Sequence, residues 1–162
     1  MQELISTLTI WALPVLFAIT LHEAAHGYAA RHFGDSTAER AGRISLNPLR
    51  HIDPMGTVVV PALIVAVSTL SGGSPMLFGW AKPVPVDFGR LRHPKADMLW
   101  VAAAGPFANL VMALCWAMLF RFAIMSPENV YALPLAKMAD AGMQINAVLM
   151  LLNLLPIPPL DG

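Results

Sequence analysis

The fold class of this chain is decided by residues 4–30, which read LISTLTIWALPVLFAITLHEAAHGYAA. Apart from a few hydroxyls and Pro14, the stretch is apolar until it reaches the polar group His22, Glu23 and His26. At about 1.5 Å per residue, a helix of this length can cross the roughly 30 Å hydrocarbon core of a bilayer. The stretch therefore predicts a membrane-spanning helix with ionisable side chains, which are functional candidates by default at that depth.

The composition of the whole chain supports a membrane protein. Of its 162 residues, 57% are hydrophobic and only 12% are Asp, Glu, Lys or Arg, whereas a soluble domain carries about 25% charged residues. The formal net charge is zero, which argues against nucleic acid as a partner because no basic surface would hold its phosphates. The single cysteine, Cys115, excludes an intramolecular disulfide and a cysteine-based zinc site, so any metal would bind to histidines and carboxylates.

Outward from the first helix, apolar and polar segments alternate. The later apolar segments are Met55–Leu70, Ala96–Ile124 and Ala139–Leu155. Met55–Leu70 is short for a straight span, so we expect a tilted, kinked or partly buried helix there. The polar segments are Arg31–Pro54, for which we predict short strands around Arg43–Leu46, and Gly79–Val86, whose alternating prolines favour an extended segment. The prediction is one domain over residues 1–162: an all-α, multi-pass helical bundle with short interfacial strands or extended loops.

The strongest chemical signal is His22-Glu23-Ala24-Ala25-His26. On a helix, histidines four residues apart lie on one face, so both imidazoles can reach one metal ion while Glu23 sits beside it. Zn²⁺ accepts two imidazoles and a carboxylate and keeps a fourth position open for water. The nearby small residues would let another helix approach closely and shield the site from lipid. The pattern predicts a zinc hydrolase with Glu23 as the general base.

A third metal ligand must come from elsewhere in the chain. The candidates bordering apolar runs are Asp140, Asp161, His51 and His93. Asp161 is the best placed, because a proline-rich turn after the last helix could bring its carboxylate back to membrane depth. On its own, Asp161 would be an ordinary turn aspartate before glycine.

Five segments together resemble the site-2 protease family of intramembrane zinc metalloproteases, in its compact form without a PDZ domain. They are HEAAH (22–26), GRISLNPLRHIDPMGT (42–57), GWAKPVPV (79–86), AAGPFANL (103–110) and NLLPIPPLDG (153–162). The likeness extends over roughly residues 21–162 in matching order. It implies a Zn²⁺-dependent endopeptidase in a prokaryotic cell membrane, which hydrolyses peptide bonds within transmembrane segments of its substrates and has the lipid bilayer as its surroundings.

The resemblance also assigns roles to single residues. His22, His26 and Asp161 match the zinc ligands, and Glu23 matches the general base. Asn109 fits the family's GPxxN element, and it and Asn153 are candidates for holding the substrate carbonyl or its oxyanion; interhelical hydrogen bonding is the equally weighted alternative for both. Pro156 and Gly162 fit the frame around Asp161.

Two further expectations follow. Because a transmembrane helix hides its peptide bonds, a substrate must be unwound, and Lys82–Val86 is a candidate edge for it to pair with, the alternative being a plain loop. Family members continue into at least one more helix, so we expect this chain to be truncated at its C-terminus. The competing hypotheses are a metal or proton transporter that uses the buried His, Glu and Asp side chains, and a metal-binding scaffold without turnover.

Overall fold

Five α-helices organise the computed structural model, which describes residues 2–70 and 82–155. They are α1 (Gln2–His32), α2 (Thr37–Arg40), α3 (Val60–Leu70), α4 (Pro94–Ile124) and α5 (Ala132–Asn153). Short 3₁₀ turns cover Pro48–Arg50 and Phe88–Arg90, and a π-helical turn covers Pro54–Val59. The described residues form no strand, so the all-α class is confirmed.

Helices α1, α4 and α5 pack against one another in all three pairings and form the body of the fold. Small residues make the close approach possible. Gly142 on α5 lies against the indole of Trp116 on α4, where a Cβ would come within 2.3 Å of Cδ2. Buried alanines on α1 (Ala18, Ala24, Ala30) and on α5 (Ala139, Ala141) serve the same purpose.

Two of these helices, α4 and α5, are long and apolar enough to cross a membrane. Helix α1 has 31 residues with Pro14 inside it, which at about 1.5 Å per residue exceeds the roughly 30 Å hydrocarbon thickness. Over Met55–Leu70, where we expect a tilted, kinked or partly buried helix, the π-helical turn Pro54–Val59 is followed directly by α3.

Two predictions about the elements are wrong. The strands predicted around Arg43–Leu46 are absent from that described segment. Within that segment the carbonyl of Ser45 accepts from Nε2 of His51 at 2.8 Å, so a side chain takes an acceptor that a strand ladder would use. On either side, the guanidinium of Arg43 donates to the carbonyl of Arg50, and that of Arg50 donates to the carbonyl of Gly42 at 2.7 Å. Helix α5 begins at Ala132 instead of Ala139, because Pro134 falls in its first turn, where proline is tolerated.

Candidate metal centre

His22 and His26 lie on one face of α1, and their rings contact each other. The ring centroids are 4.7 Å apart at an interplanar angle of 82°, and the two Nε2 atoms are 3.1 Å apart. Both residues are buried, at 5% and 7% exposure. The structure therefore brings two imidazole nitrogens to one point inside the three-helix body.

The other ring nitrogen of each histidine is held by helix α4. His26 Nδ1 donates to the backbone carbonyl of Val101 at 2.8 Å, and His22 Nδ1 donates to Oδ1 of Asn109 at 2.5 Å. Because a carbonyl oxygen only accepts, each Nδ1 carries a proton, and the neutral form of each ring with that proton has its lone pair on Nε2. This is the arrangement that hydrogen bonds from neighbouring groups give to metal-binding histidines.

A second amide continues the hydrogen bonding from α4 to α5. Nδ2 of Asn109 donates to Oδ1 of Asn146 at 3.0 Å, and Nδ2 of Asn146 donates to the carbonyl of Gly142 at 2.8 Å. Both asparagines are fully buried. Asn109 therefore makes the interhelical hydrogen bonds that were the alternative to a substrate role, and that substrate role stays a prediction. Sequence reasoning missed Asn146, although an amide within an apolar helix is itself a signal, since burying it without partners is costly.

Gly105 on α4 leaves the space in which the two imidazoles sit. A Cβ at this position would lie 2.4 Å from Nε2 of His26 and 2.6 Å from Cε1 of His22. With zinc–nitrogen bonds of about 2.0–2.1 Å, two ligands of a tetrahedral zinc are roughly 3.3 Å apart, close to the observed 3.1 Å between the Nε2 atoms. The donor pair and the glycine beside it therefore fit a zinc ion.

Glu23 is held by the extended segment 82–86 on the other side of α1. Its Oε2 accepts from the backbone N–H of Val84 at 2.8 Å. Val84 also packs over Gly27 together with Ile44, so this segment lies directly on the histidine-bearing helix. The carboxylate of the predicted general base thus has one oxygen fixed by the main chain.

Three of the predicted ligand candidates, Asp140, His51 and His93, do not join the histidines. Within residues 2–70 and 82–155, no three His, Cys, Asp or Glu side chains cluster as a metal site. Asp140 is exposed and accepts from Gln144, His93 is exposed at the start of α4, and Nε2 of the buried His51 donates to the carbonyl of Ser45. Asp161, Pro156 and Gly162 lie outside the described residues, and Asn153 is half-buried at the end of α5.

Asp35 ties the end of α1 to the segment that reaches Glu23. Its carboxylate is fully buried and accepts from the hydroxyl and N–H of Thr37 and from the N–H of Asp87. Burial raises the pKa of this carboxyl, but the hydrogen bonds from Thr37 and Asp87 and the charge of Arg90 together lower the pKa below its ordinary value. The ionised carboxylate therefore anchors the connection.

Comparison with known proteins gives two groups of bacterial relatives. The chain is 34% identical to "Putative zinc metalloprotease YwhC" of Bacillus subtilis, over 98% of this chain and 68% of that protein. It is 36% identical to "Putative zinc metalloprotease Rip2" of Mycolicibacterium smegmatis and 31% identical to the Rip2 of Mycobacterium tuberculosis, each over 91% of this chain. The chain spans about half the length of the Rip2 proteins (52%). No family model matches the chain, and no solved structure matches it.

Proposed function

Because the chain belongs to the site-2 protease family of zinc metalloproteases, we propose that it is a multi-pass intramembrane endopeptidase that cleaves within transmembrane segments of its substrates. The observation that carries this proposal is the position of the histidine pair. His22 and His26 are buried where α1 contacts α4 and α5, and α4 and α5 are themselves long and apolar enough to span a membrane. A hydrolytic site at this level of the bundle is suited to a peptide bond inside the bilayer.

The histidines would hold zinc through their Nε2 atoms, with Asp161 as the proposed third ligand. Bound zinc supplies a Lewis acid that polarises a peptide carbonyl and acidifies water. Glu23 takes the proton from the attacking water and delivers it to the leaving amine nitrogen. Since the N–H of Val84 occupies Oε2, we assign the proton to Oε1.

An apolar cleft of about 470 Å³ between α1 and α4 supports a hydrophobic substrate. Its walls include Ala24 and Ala25, which lie between the two histidines in the sequence of α1, and Ala104 and Ala108, which lie before and after Gly105 on α4. The lining of this cleft contains no charged side chain, so it can accept an apolar peptide beside the histidine-bearing helix. The cleft thus favours a transmembrane segment over a polar peptide as the substrate.

The segment Lys82–Val86 supports the proposed strand pairing in a restricted form. Its N–H groups at Lys82 and Val84 already donate to the His51 carbonyl and to Glu23. In an extended chain the carbonyls of Pro83 and Pro85 point to the opposite edge, and both prolines are exposed beside a second cleft of about 580 Å³. Because proline has no N–H, this edge offers acceptors only, and an unwound substrate would donate its own N–H groups to it.

The test is cleavage of a model transmembrane substrate by the purified protein in liposomes, with mass spectrometry of the products. We expect a cut within the apolar segment and a loss of at least about 100-fold with Glu23→Gln, the usual contribution of a general base. Glu39→Gln, which removes an exposed carboxylate paired with Arg31, is the matched control. Wild-type cleavage by Glu23→Gln would refute the mechanism, and metal flux into sealed vesicles that survives Glu23→Gln would favour the transporter instead.

A further inference from the structure

We propose that Asn146 is a positioning residue that sets the tautomer of His22 by fixing the orientation of the Asn109 amide. The inference rests on the proposed role of His22 as a zinc ligand and adds a residue of α5 to the site. The side chain of Asn146 hydrogen-bonds to Asn109 and to the carbonyl of Gly142, so it acts on His22 through Asn109.

The direction of every hydrogen bond in this series follows from its anchor. The carbonyl of Gly142 belongs to the main chain of α5 and can only accept, so Asn146 must present Nδ2 to it and Oδ1 to Asn109. Asn109 must then present Nδ2 to Asn146, which leaves its Oδ1 for His22. His22 must therefore carry its proton on Nδ1. A backbone carbonyl on α5 thus determines where the proton sits on a ring of α1.

Without Asn146, the Asn109 amide could turn over. Its NH₂ group would then face Nδ1 of His22 and select the tautomer with the proton on Nε2. That proton would lie on the atom that is 3.1 Å from Nε2 of His26, at the point where the metal is proposed to bind. Both asparagines are fully buried, so bulk water does not compete to satisfy the amides in either orientation.

His26 provides an internal comparison. Its Nδ1 donates to the backbone carbonyl of Val101, which cannot exchange a donor for an acceptor as an amide side chain can. A change at Asn146 should therefore alter the tautomer of His22 and leave that of His26 unchanged. Loss of general packing would disturb both rings, since they contact each other.

The experiment measures the ring ¹⁵N chemical shifts of the metal-free protein, labelled at its five histidines, together with its zinc dissociation constant by chelator competition. For Asn146→Leu we expect His22 to lose its pure Nδ1–H signature and His26 to keep it. Zinc affinity should fall by about 10-fold or more, as it does when groups that orient metal ligands are removed. Asn146→Asp retains an acceptor for Asn109 and should keep the wild-type tautomer. Gln144→Leu, which removes an exposed amide from the same helix, is the matched control.

A double variant gives the most specific test of the Asn109 orientation. An aspartate at position 109 has two equivalent oxygens, so its orientation no longer matters. Asn109→Asp should therefore restore the Nδ1–H form of His22 in the Asn146→Leu background. If Asn146→Leu does not fold, Asn146→Ala removes the same groups without added bulk and is measured in the same way.

The proposal is overturned if a folded Asn146→Leu or Asn146→Ala protein keeps His22 in the Nδ1–H form and binds zinc within twofold of wild type. Failure of the proposed zinc site is a separate result, because it would appear as unchanged zinc binding by His22→Ala. Loss of zinc in His22→Ala with an unchanged tautomer in Asn146→Leu would refute only the role of Asn146.

Discussion

Replacing Gly105 by alanine adds one methyl group at the point where α4 passes the two histidines. The new Cβ would lie 2.4 Å from Nε2 of His26 and 2.6 Å from Cε1 of His22, whereas ordinary contacts of such an atom begin at 3.4 Å. The rings or the helix must therefore move by about 1 Å. Either movement strains the hydrogen bonds that hold the rings, from His22 to Asn109 at 2.5 Å and from His26 to Val101 at 2.8 Å.

The size of the effect follows from the cost of overpacking. Inserting a methyl group into a filled site costs about 1–3 kcal/mol. If this strain falls on the metal-bound form, the zinc dissociation constant rises by roughly 5- to 150-fold. The helix itself should not suffer, because alanine is favoured over glycine in a helix interior by up to about 1 kcal/mol. We therefore expect Gly105→Ala to keep its helix content and to lose zinc affinity.

The assay is a competition titration with a chromophoric zinc chelator, with circular dichroism on the same samples. Gly89→Ala is the matched control, because a Cβ there meets nothing closer than 3.4 Å. If Gly105→Ala bound zinc within twofold of wild type with its helix content intact, the close approach of α4 to His22 and His26 would be wrong, and with it the proposed location of the metal.

Three further predictions concern the rest of the site. Asp35→Asn should destabilise the protein by about 1–3 kcal/mol at neutral pH, because it removes a buried charged acceptor of three hydrogen bonds. Since the pKa of Asp35 is lowered in the folded protein, its contribution is fully present above the unfolded value of about 3.9 and is lost as the pH falls through the folded value. The thermal unfolding temperatures of the two proteins should therefore stay apart down to about pH 4 and approach each other only on further acidification; a difference that does not shrink there would contradict the anchor. Val84→Pro removes the N–H that holds Glu23 and should lower kcat by roughly 10-fold, as expected for a hydrogen bond to a charged group. Zinc binding should be unchanged. Loss of zinc binding instead would show that Val84 supports the proposed ligands and not the base. Removal of zinc with a chelator should abolish cleavage and lower Tm, because zinc binds the folded state in preference to the unfolded state. Adding zinc back should restore both. A Tm independent of zinc would argue against a site inside the three-helix body.

The sequence predicts the helices of this fold better than it predicts their ends. Long apolar runs indicate α4 and α5 because few alternatives can bury so many apolar side chains. The start of α5 is missed because Pro134 and Lys137 resemble a break in the sequence. In the structure the proline falls in the first turn and the lysine is exposed, so neither residue interrupts the helix.

In the candidate site, the sequence predicts the residues that one helix places together, but not their partners from distant parts of the chain. The spacing of His22 and His26 is a property of one helix, and periodicity alone places both on one face. Their partners Asn109 and Val101 are 87 and 75 residues away in the chain, and Val84 is 61 residues from Glu23. No periodicity connects these positions, because each depends on how closely α4, or the segment 82–86, approaches α1.

The two histidines that are proposed to hold zinc differ in which substitutions can weaken their hydrogen bonds. His26 is held by the main-chain carbonyl of Val101, and that acceptor remains whatever side chain replaces Val101. The connection from His22 runs through the side chains of Asn109 and Asn146 before it meets the main chain at Gly142. Single substitutions can therefore break the support of His22 at two places without moving a helix, whereas weakening the support of His26 requires a shift of α4 itself. It follows that variants which lower zinc affinity but preserve the fold should be concentrated among the partners of His22.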